Sequence, residues 1–347
     1  MDDLLLKDYR PRSLLVTEQH MLQRARFPVT DAHNHLGFVT DAFGEPSAHG
    51  GAGCMEDVER VVATMDQAGV AAVCNLTGRW GDELKRLIDR YEGKYPGRFY
   101  TFANVDWSGL NEPGFAERAA AQLKESVAAG ARGLKIFKNL GLQLKDKTGK
   151  LLSPDDPRLD PLWARAGELR VPVLIHVADD MPFFQPLDRH NEAYLQLRAH
   201  PEWHFYGPGI PGHRQLVESG LRVVTRHPST TFIAAHTCWY ADNDLRFVGE
   251  MLDRHPNLYT DISTSLYTLG RQPYAAREFF LKYQDRLLFG TDHAPSVPYY
   301  GLHFRFLETA DEYVELDPLH HIYCLHLPDD VLRKVYAGNV RKLVPGL

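Results

Sequence analysis

Apolar residues fall along the chain in short continuous runs at 29–37, 70–77, 99–106, 132–138, 171–177, 231–238, 258–263 and 287–292. Runs of this length and apolarity predict strands buried on both faces. Between them, residues 55–69, 82–92, 115–129, 159–170, 213–226, 242–254 and 273–283 space their apolar positions as helices do, and the first of these ends on Gly69. Pro172 stands near the start of the fifth run, where a missing donor is best tolerated. Strand and helix in alternation predict a parallel sheet. Eight such repeats select an α/β fold with a single closed (β/α)8 TIM barrel over an open sheet.

The barrel is thus expected over residues 29–347, with residues 1–28 as an extension packed on it and containing a short helix. Residues 40–53, rich in Gly and Ala, read as a loop. Residues 180–212 form one long irregular insertion after strand five, carrying Phe183, Phe184, Trp203, Phe205, Tyr206 and a Gly-Pro-Gly-Ile-Pro-Gly run, and are expected to act as a lid. Residues 304–347 read as closing helices.

Composition narrows the partners. The chain has 347 residues, 44% hydrophobic and 24% charged, enough for one large core, and its formal charge of -6 comes without any long Lys/Arg block. Nucleic acid is therefore an unexpected partner. An acidic start with only a three-leucine run fits neither a signal peptide nor a membrane span, so a soluble, cytoplasmic protein is expected. Cys54, Cys74, Cys238 and Cys324 are scattered without Cys-x-x-Cys spacing, which argues against a zinc ribbon or a disulfide framework.

The chemistry lies in the polar residues that interrupt the apolar runs. His33 and His35 share one face of the first strand because alternate side chains do. Lys135 and Lys138 end strand four, His176 strand five, His236 strand six and Asp292 strand eight. A lone histidine in Leu-Ile-His-Val or Ala-Ala-His-Thr is more often a satisfied core residue. Four histidines and an aspartate at the carboxyl ends of strands, the face where this fold builds its active sites, instead read together as a metal site.

On these residues the chain resembles the amidohydrolase superfamily, in the branch containing aminocarboxymuconate-semialdehyde decarboxylase and related metal-dependent hydrolases. The matching motifs are Asp-Ala-His-Asn-His-Leu, Val-Leu-Ile-His-Val, Phe-Ile-Ala-Ala-His-Thr, Tyr-Thr-Asp-Ile-Ser, Leu-Leu-Phe-Gly-Thr-Asp and Ala-Gly-Asn-Val-Arg-Lys-Leu, spanning most of the chain. The resemblance implies one divalent metal, zinc, held by His33, His35, His176 and Asp292. His236 and Asp292 would be catalytic, with His236 beside the water and Asp292 accepting its proton.

Lys135 has two readings: a carboxylated lysine bridging two metals, or a cation binding a substrate carboxylate. Lys138, Phe184, Tyr206, Trp239 and Arg271 are the expected substrate pocket, and Asp261 beside Ser263 would orient a histidine. The leading expectation is a metal-dependent hydrolase acting on an ester, lactone or amide of a small, carboxylate-bearing substrate. A non-oxidative decarboxylase of an aromatic or unsaturated acid uses the same ligands, and a non-catalytic metal- or ligand-binding barrel is the third reading. The resemblance also implies a homodimer.

Overall fold

A computed structural model describes residues 4–5, 8–9, 11–36, 57–77, 79–317 and 320–347; the expected loop at 40–53 lies outside them. Eight parallel strands form in the expected order: β1 (Val29–Asn34), β2 (Val70–Asn75), β3 (Phe99–Thr101), β4 (Leu134–Ile136), β5 (Val173–Ile175), β6 (Phe232–Ala234), β7 (Leu258–Asp261) and β8 (Leu287–Leu288). Parallel ladders join β1-β2-β3 and β4 through β8. Backbone bonds outside the ladders close the ring. Ala103 N donates to Gly133 O (2.9 Å) and Lys135 N to Ala103 O (2.8 Å), tying β3 to β4. Ala32 N donates to Phe289 O (2.8 Å) and Asp292 N to His33 O (2.7 Å), tying β8 to β1. Pro172 precedes β5 and still accepts from Leu134 N (2.9 Å), so it costs the ladder no donor.

Helices follow the strands. Val58–Ala68 starts on Asp57, whose side chain accepts from Arg60 N, and stops at Gly69, whose φ of +76° is the left-handed conformation that glycine adopts freely. Its Val58, Val61, Val62, Met65 and Ala68 face the core. Phe115–Ala128, Asp160–Glu168, His213–Arg226, Leu245–Arg254 and Pro273–Tyr283 repeat the arrangement. No helix among the described residues is long and apolar enough to cross a membrane.

The ladders are shorter than the apolar runs. Residues beyond the last ladder pair remain buried against the barrel mouth, so apolarity continues where pairing has ended. The two ends match expectation in part. In the extension the described residues show one helical turn, with Asp8 N and Tyr9 N donating to Leu5 O (2.8 and 3.1 Å), while residues 11–28 are not helical; Leu14 and Val16 are 94% and 93% exposed, so there is no buried face to stabilise a helix there. After the helix Val297–Glu308 the chain first makes an antiparallel hairpin that was not expected, β9 (Val314–Asp317) with β10 (His320–Ile322), and then closes in helical segments as expected, Asp329–Arg333, Lys334–Gly338 and Val340–Leu343. The extension is fastened to this end: Thr17 Oγ1 donates to Glu312 O (3.2 Å) and His20 N to Asp311 Oδ2 (2.7 Å).

The insertion is irregular, as expected, with short turns at Met181–Phe184 and Pro201–Trp203 and a helix at Tyr194–Ala199. It is packed by its own aromatic side chains, Phe183 against Trp203 and Phe184 against Phe205.

Candidate metal centre

At the carboxyl end of the barrel lies a cavity of about 2430 Å³ whose wall includes His35, Lys135, Lys138, His176, His236 and Asp292. Its floor is set by β1 and β8. Asp31, fully buried, accepts from Thr291 N (3.1 Å), Thr291 Oγ1 (2.7 Å), Asn34 Nδ2 (2.8 Å) and Tyr300 OH (3.0 Å), clamping β8 onto the His-x-His strand. Burial pushes its carboxyl up to about 6 against the pull of those bonds. Gly290 allows the close approach, since a Cβ there would stand 2.9 Å from His33 Cβ.

The two histidines face one carboxylate. Asp292 Oδ1 lies 3.2 Å from His35 Nε2 and 3.5 Å from His33 Nε2, while Asp292 Oδ2 lies 3.8 Å from His236 Nε2. Ligand atoms of His33, His35 and Asp292 all fall within 4.8 Å of one another. Burial works to raise the Asp292 carboxyl, but His33, His35 and His236 outweigh it and hold the group well below the usual carboxylate range.

The tautomers follow from the partners. His33 Nδ1 is 3.0 Å from Asp261 Oδ2, a carboxylate that only accepts, so Nδ1 carries the proton and Nε2 keeps its lone pair for a ligand. Burial, and then Lys135, hold His33 down to about 4, neutral as ligation requires. Asp261 thus stands where the sequence reading expects an orienting partner. His236 Nδ1 is 3.1 Å from the Ser263 carbonyl and therefore donates, which turns the lone pair of Nε2 toward Asp292.

His236 also opens an unusual backbone segment. His236, Thr237, Cys238 and Trp239 have φ of 54°, 52°, 56° and 59°, four consecutive non-glycine residues in the left-handed region. At about 1–2 kcal/mol per residue this is costly, and it persists only because the surroundings over-determine it. Asp292, at φ 54°, is held the same way.

Lys135 lies wholly inside the protein, its Nζ donating to His33 Nε2 (3.1 Å). Burial lowers the ammonium to about 8 while Asp292 and Asp261 pull it back up. The cluster already draws one cation to the nitrogen that would bind a metal, and a donor set of neutral imidazole plus ionised carboxylate suits a divalent first-row ion. The residues fit the group.

Not every expected residue joins them. His176 is 4.5 Å from His236 ring to ring, but its Nε2 donates to Asp179 Oδ1 (2.9 Å), so it stands outside the His33–His35–Asp292 group and has only Nδ1 left with a lone pair. Lys138 pairs with the other oxygen of Asp179. Arg271 forks onto Glu192 (3.0 and 3.1 Å) and stands off the cavity wall, so it is no free carboxylate clamp. Phe184 packs against His213, leaving Phe183 on the wall, and Tyr206 is an exposed residue stacked on His204. Trp239 does line the cavity. Asp179 is the residue that reading the sequence missed; its only signal is the acidic pair Asp179-Asp180 just past His176.

The amidohydrolase family model matches residues 30–346. Among solved structures, 2,6-dihydroxybenzoate decarboxylase from Rhizobium is 16% identical with a TM-score of 0.57, covering 91% of this chain and 98% of that one. A 5-carboxyvanillate decarboxylase from Novosphingobium aromaticivorans, complexed with manganese, is 13% identical with a TM-score of 0.57, covering 93% and 99%. A probable 2-pyrone-4,6-dicarboxylic acid hydrolase from Acinetobacter baumannii is 12% identical with a TM-score of 0.55, covering 91% and 99%. At these identities the likeness shows the fold alone. No curated protein matches the chain.

Proposed function

This chain belongs to the amidohydrolase family, and from that premise we propose that it is a metal-dependent hydrolase acting on a neutral ester, lactone or amide carbon. The observation that carries the choice is charge. Of the three cations expected to grip a substrate carboxylate, Lys138 is neutralised by Asp179 and Arg271 by Glu192, and Lys135 is engaged with His33 Nε2, the nitrogen that would hold the ion, so none stands free for a substrate. A decarboxylase must bind a carboxylate; a hydrolase of a neutral acyl group need not. The expectation of a carboxylate-bearing substrate is revised on this ground.

His33, His35 and Asp292 would hold one ion, proposed as zinc, and His176 could join them only through Nδ1, its Nε2 staying on Asp179. The ion supplies Lewis acidity and lowers the pKa of water at the site. Asp292, ionised and partly accessible, accepts the proton of the attacking water. His236 presents the Nε2 lone pair beside it, orients the water and carries the proton on to the leaving group. Asp261 holds His33 in the ligating tautomer throughout.

The test is turnover by the metal-loaded full chain of dihydrocoumarin, a neutral aryl lactone, beside 2,6-dihydroxybenzoate. Acid release with one oxygen incorporated from labelled water supports the reading. Carbon dioxide from the benzoate without lactone opening overturns it in favour of the decarboxylase. Metal analysis should return one ion per chain; two would revive a carboxylated Lys135.

A further inference from the structure

The left-handed turn at His236–Trp239 is held by side chains that no catalytic step uses. Cys238 N donates to Thr260 Oγ1 (2.8 Å), and the same hydroxyl donates to Ala234 O (2.6 Å), the last carbonyl of β6. One buried threonine therefore spans the point where the strand stops and the turn begins. Thr237 Oγ1 donates to Ser265 Oγ (2.9 Å), which in turn donates to Ser263 O (3.1 Å), the carbonyl that also accepts from His236 Nδ1. His236 N donates to Asp261 Oδ1 (3.3 Å). Thr260, Thr237 and Ser263 are fully or almost fully buried. A left-handed run of four side-chain-bearing residues relaxes when its backbone donors lose their acceptors.

We propose that Thr260 is a positioning residue for the reaction: its hydroxyl locks the turn after β6 in the left-handed conformation and so aims His236 Nε2 at Asp292. Thr237, through Ser265, is the outer brace of the same lock. Thr260 touches neither His33, His35 nor Asp292 in any hydrogen bond, so its effect runs through His236 and leaves the ligands in place. The kinetic part of the test rests on the hydrolase reading; the spectroscopic part does not.

The experiment compares Thr260→Val, which keeps the shape and removes the hydroxyl, with Thr260→Ser, which keeps the hydroxyl, in the zinc-loaded full chain. The first readout is the His236 Nδ1–H resonance in nitrogen-15 spectra, assigned by its loss in His236→Asn. Thr260→Val should lose that resonance, keep one zinc per chain, and cut kcat for dihydrocoumarin at least tenfold with KM within threefold. Thr260→Ser should restore the resonance and bring kcat within twofold of the parent. Retention of the resonance in Thr260→Val, or an equal loss in Thr260→Ser, overturns the proposal. Should Thr260→Val fail to fold, Thr237→Ala breaks only the outer brace and should weaken the resonance and lower kcat about threefold; an unchanged resonance there overturns it equally. A parent protein that opens no lactone but shows the predicted resonance pattern refutes the hydrolase reading and leaves the positioning role standing.

Discussion

Replacing Asp261 by Asn changes one atom and sets two requirements against each other. The carboxylate accepts from His33 Nδ1 (3.0 Å) on one oxygen, and from Ser263 N (3.0 Å), His236 N (3.3 Å) and the Ser263 hydroxyl on the other. An amide has one accepting oxygen. If it faces His33, the amide NH2 meets two backbone N–H donors, each buried and unsatisfied at about 1–3 kcal/mol. If it faces the backbone instead, the NH2 meets His33 Nδ1 and drives the ring proton onto Nε2, the nitrogen needed for the ion. The second arrangement loses fewer bonds, so the loss should appear in metal affinity. Partners of this kind are worth about 10–100-fold, or about 1.4–2.7 kcal/mol. Zinc competition against a chromophoric chelator measures it directly, with thermal unfolding of the metal-free protein as control. Affinity within threefold of the parent would refute both the tautomer assignment and the ligand role of His33.

Three further outcomes are expected. His236→Asn should keep one ion per chain while turnover falls by about 10²–10⁴-fold; unchanged turnover removes it from the chemistry. Asp179→Ala frees Lys138 inside the cavity, and a charge-assisted bond of about 1.5–3 kcal/mol should tighten inhibition by benzoate at least tenfold, whereas an unchanged inhibition constant contradicts the neutralised-cation argument. His303 is fully buried, with Nδ1 donating to Tyr299 O (2.9 Å), and burial holds it down to about 4 from 6.5. The unfolded chain thus takes up a proton between pH 6.5 and 4 that the folded chain refuses, so stability is lost as pH falls through that window. His303→Gln should be less acid-sensitive than the parent by about 2 kcal/mol at pH 5 in urea unfolding; parallel pH curves would count against it.

How far the chain could be read in advance depended on the range of each interaction. The eight strands were legible because burial on both faces leaves an apolar run regardless of neighbours. Strand ends were not, because residues such as Ala235 and Cys238 stay buried at the mouth after pairing stops. The hairpin at β9 and β10 alternates Val314 and Leu316 with Glu315, but over too few residues to stand out from a helix end. In the site, His33, His35 and Asp292 were legible since strand ends of a closed barrel must converge. The pairing of His176 with Asp179 depends on how the chain leaves β5, and that of Arg271 with Glu192 joins residues 79 apart through the insertion. Neither leaves a local pattern.

Lys135 offers a test in which the two readings of the site predict opposite signs. Its Nζ stands 3.1 Å from His33 Nε2, so an ammonium there and an ion on the same nitrogen exclude each other. Direct repulsion would be large, but it is capped by the option of losing the proton. With the group lowered to about 8, that costs about 1.4 kcal/mol at pH 7, a factor of about ten in affinity. Lys135→Met keeps the length and removes the competing cation, so the one-ion site should bind zinc about tenfold more tightly at pH 7, and the advantage should vanish above pH 8. A carboxylated Lys135 bridging two ions requires the reverse: the variant would lose metal, and the parent would gain it with added bicarbonate. Zinc titrations of both proteins at pH 7 and pH 9, with and without bicarbonate, separate the two, and weaker binding by Lys135→Met would overturn the one-ion reading.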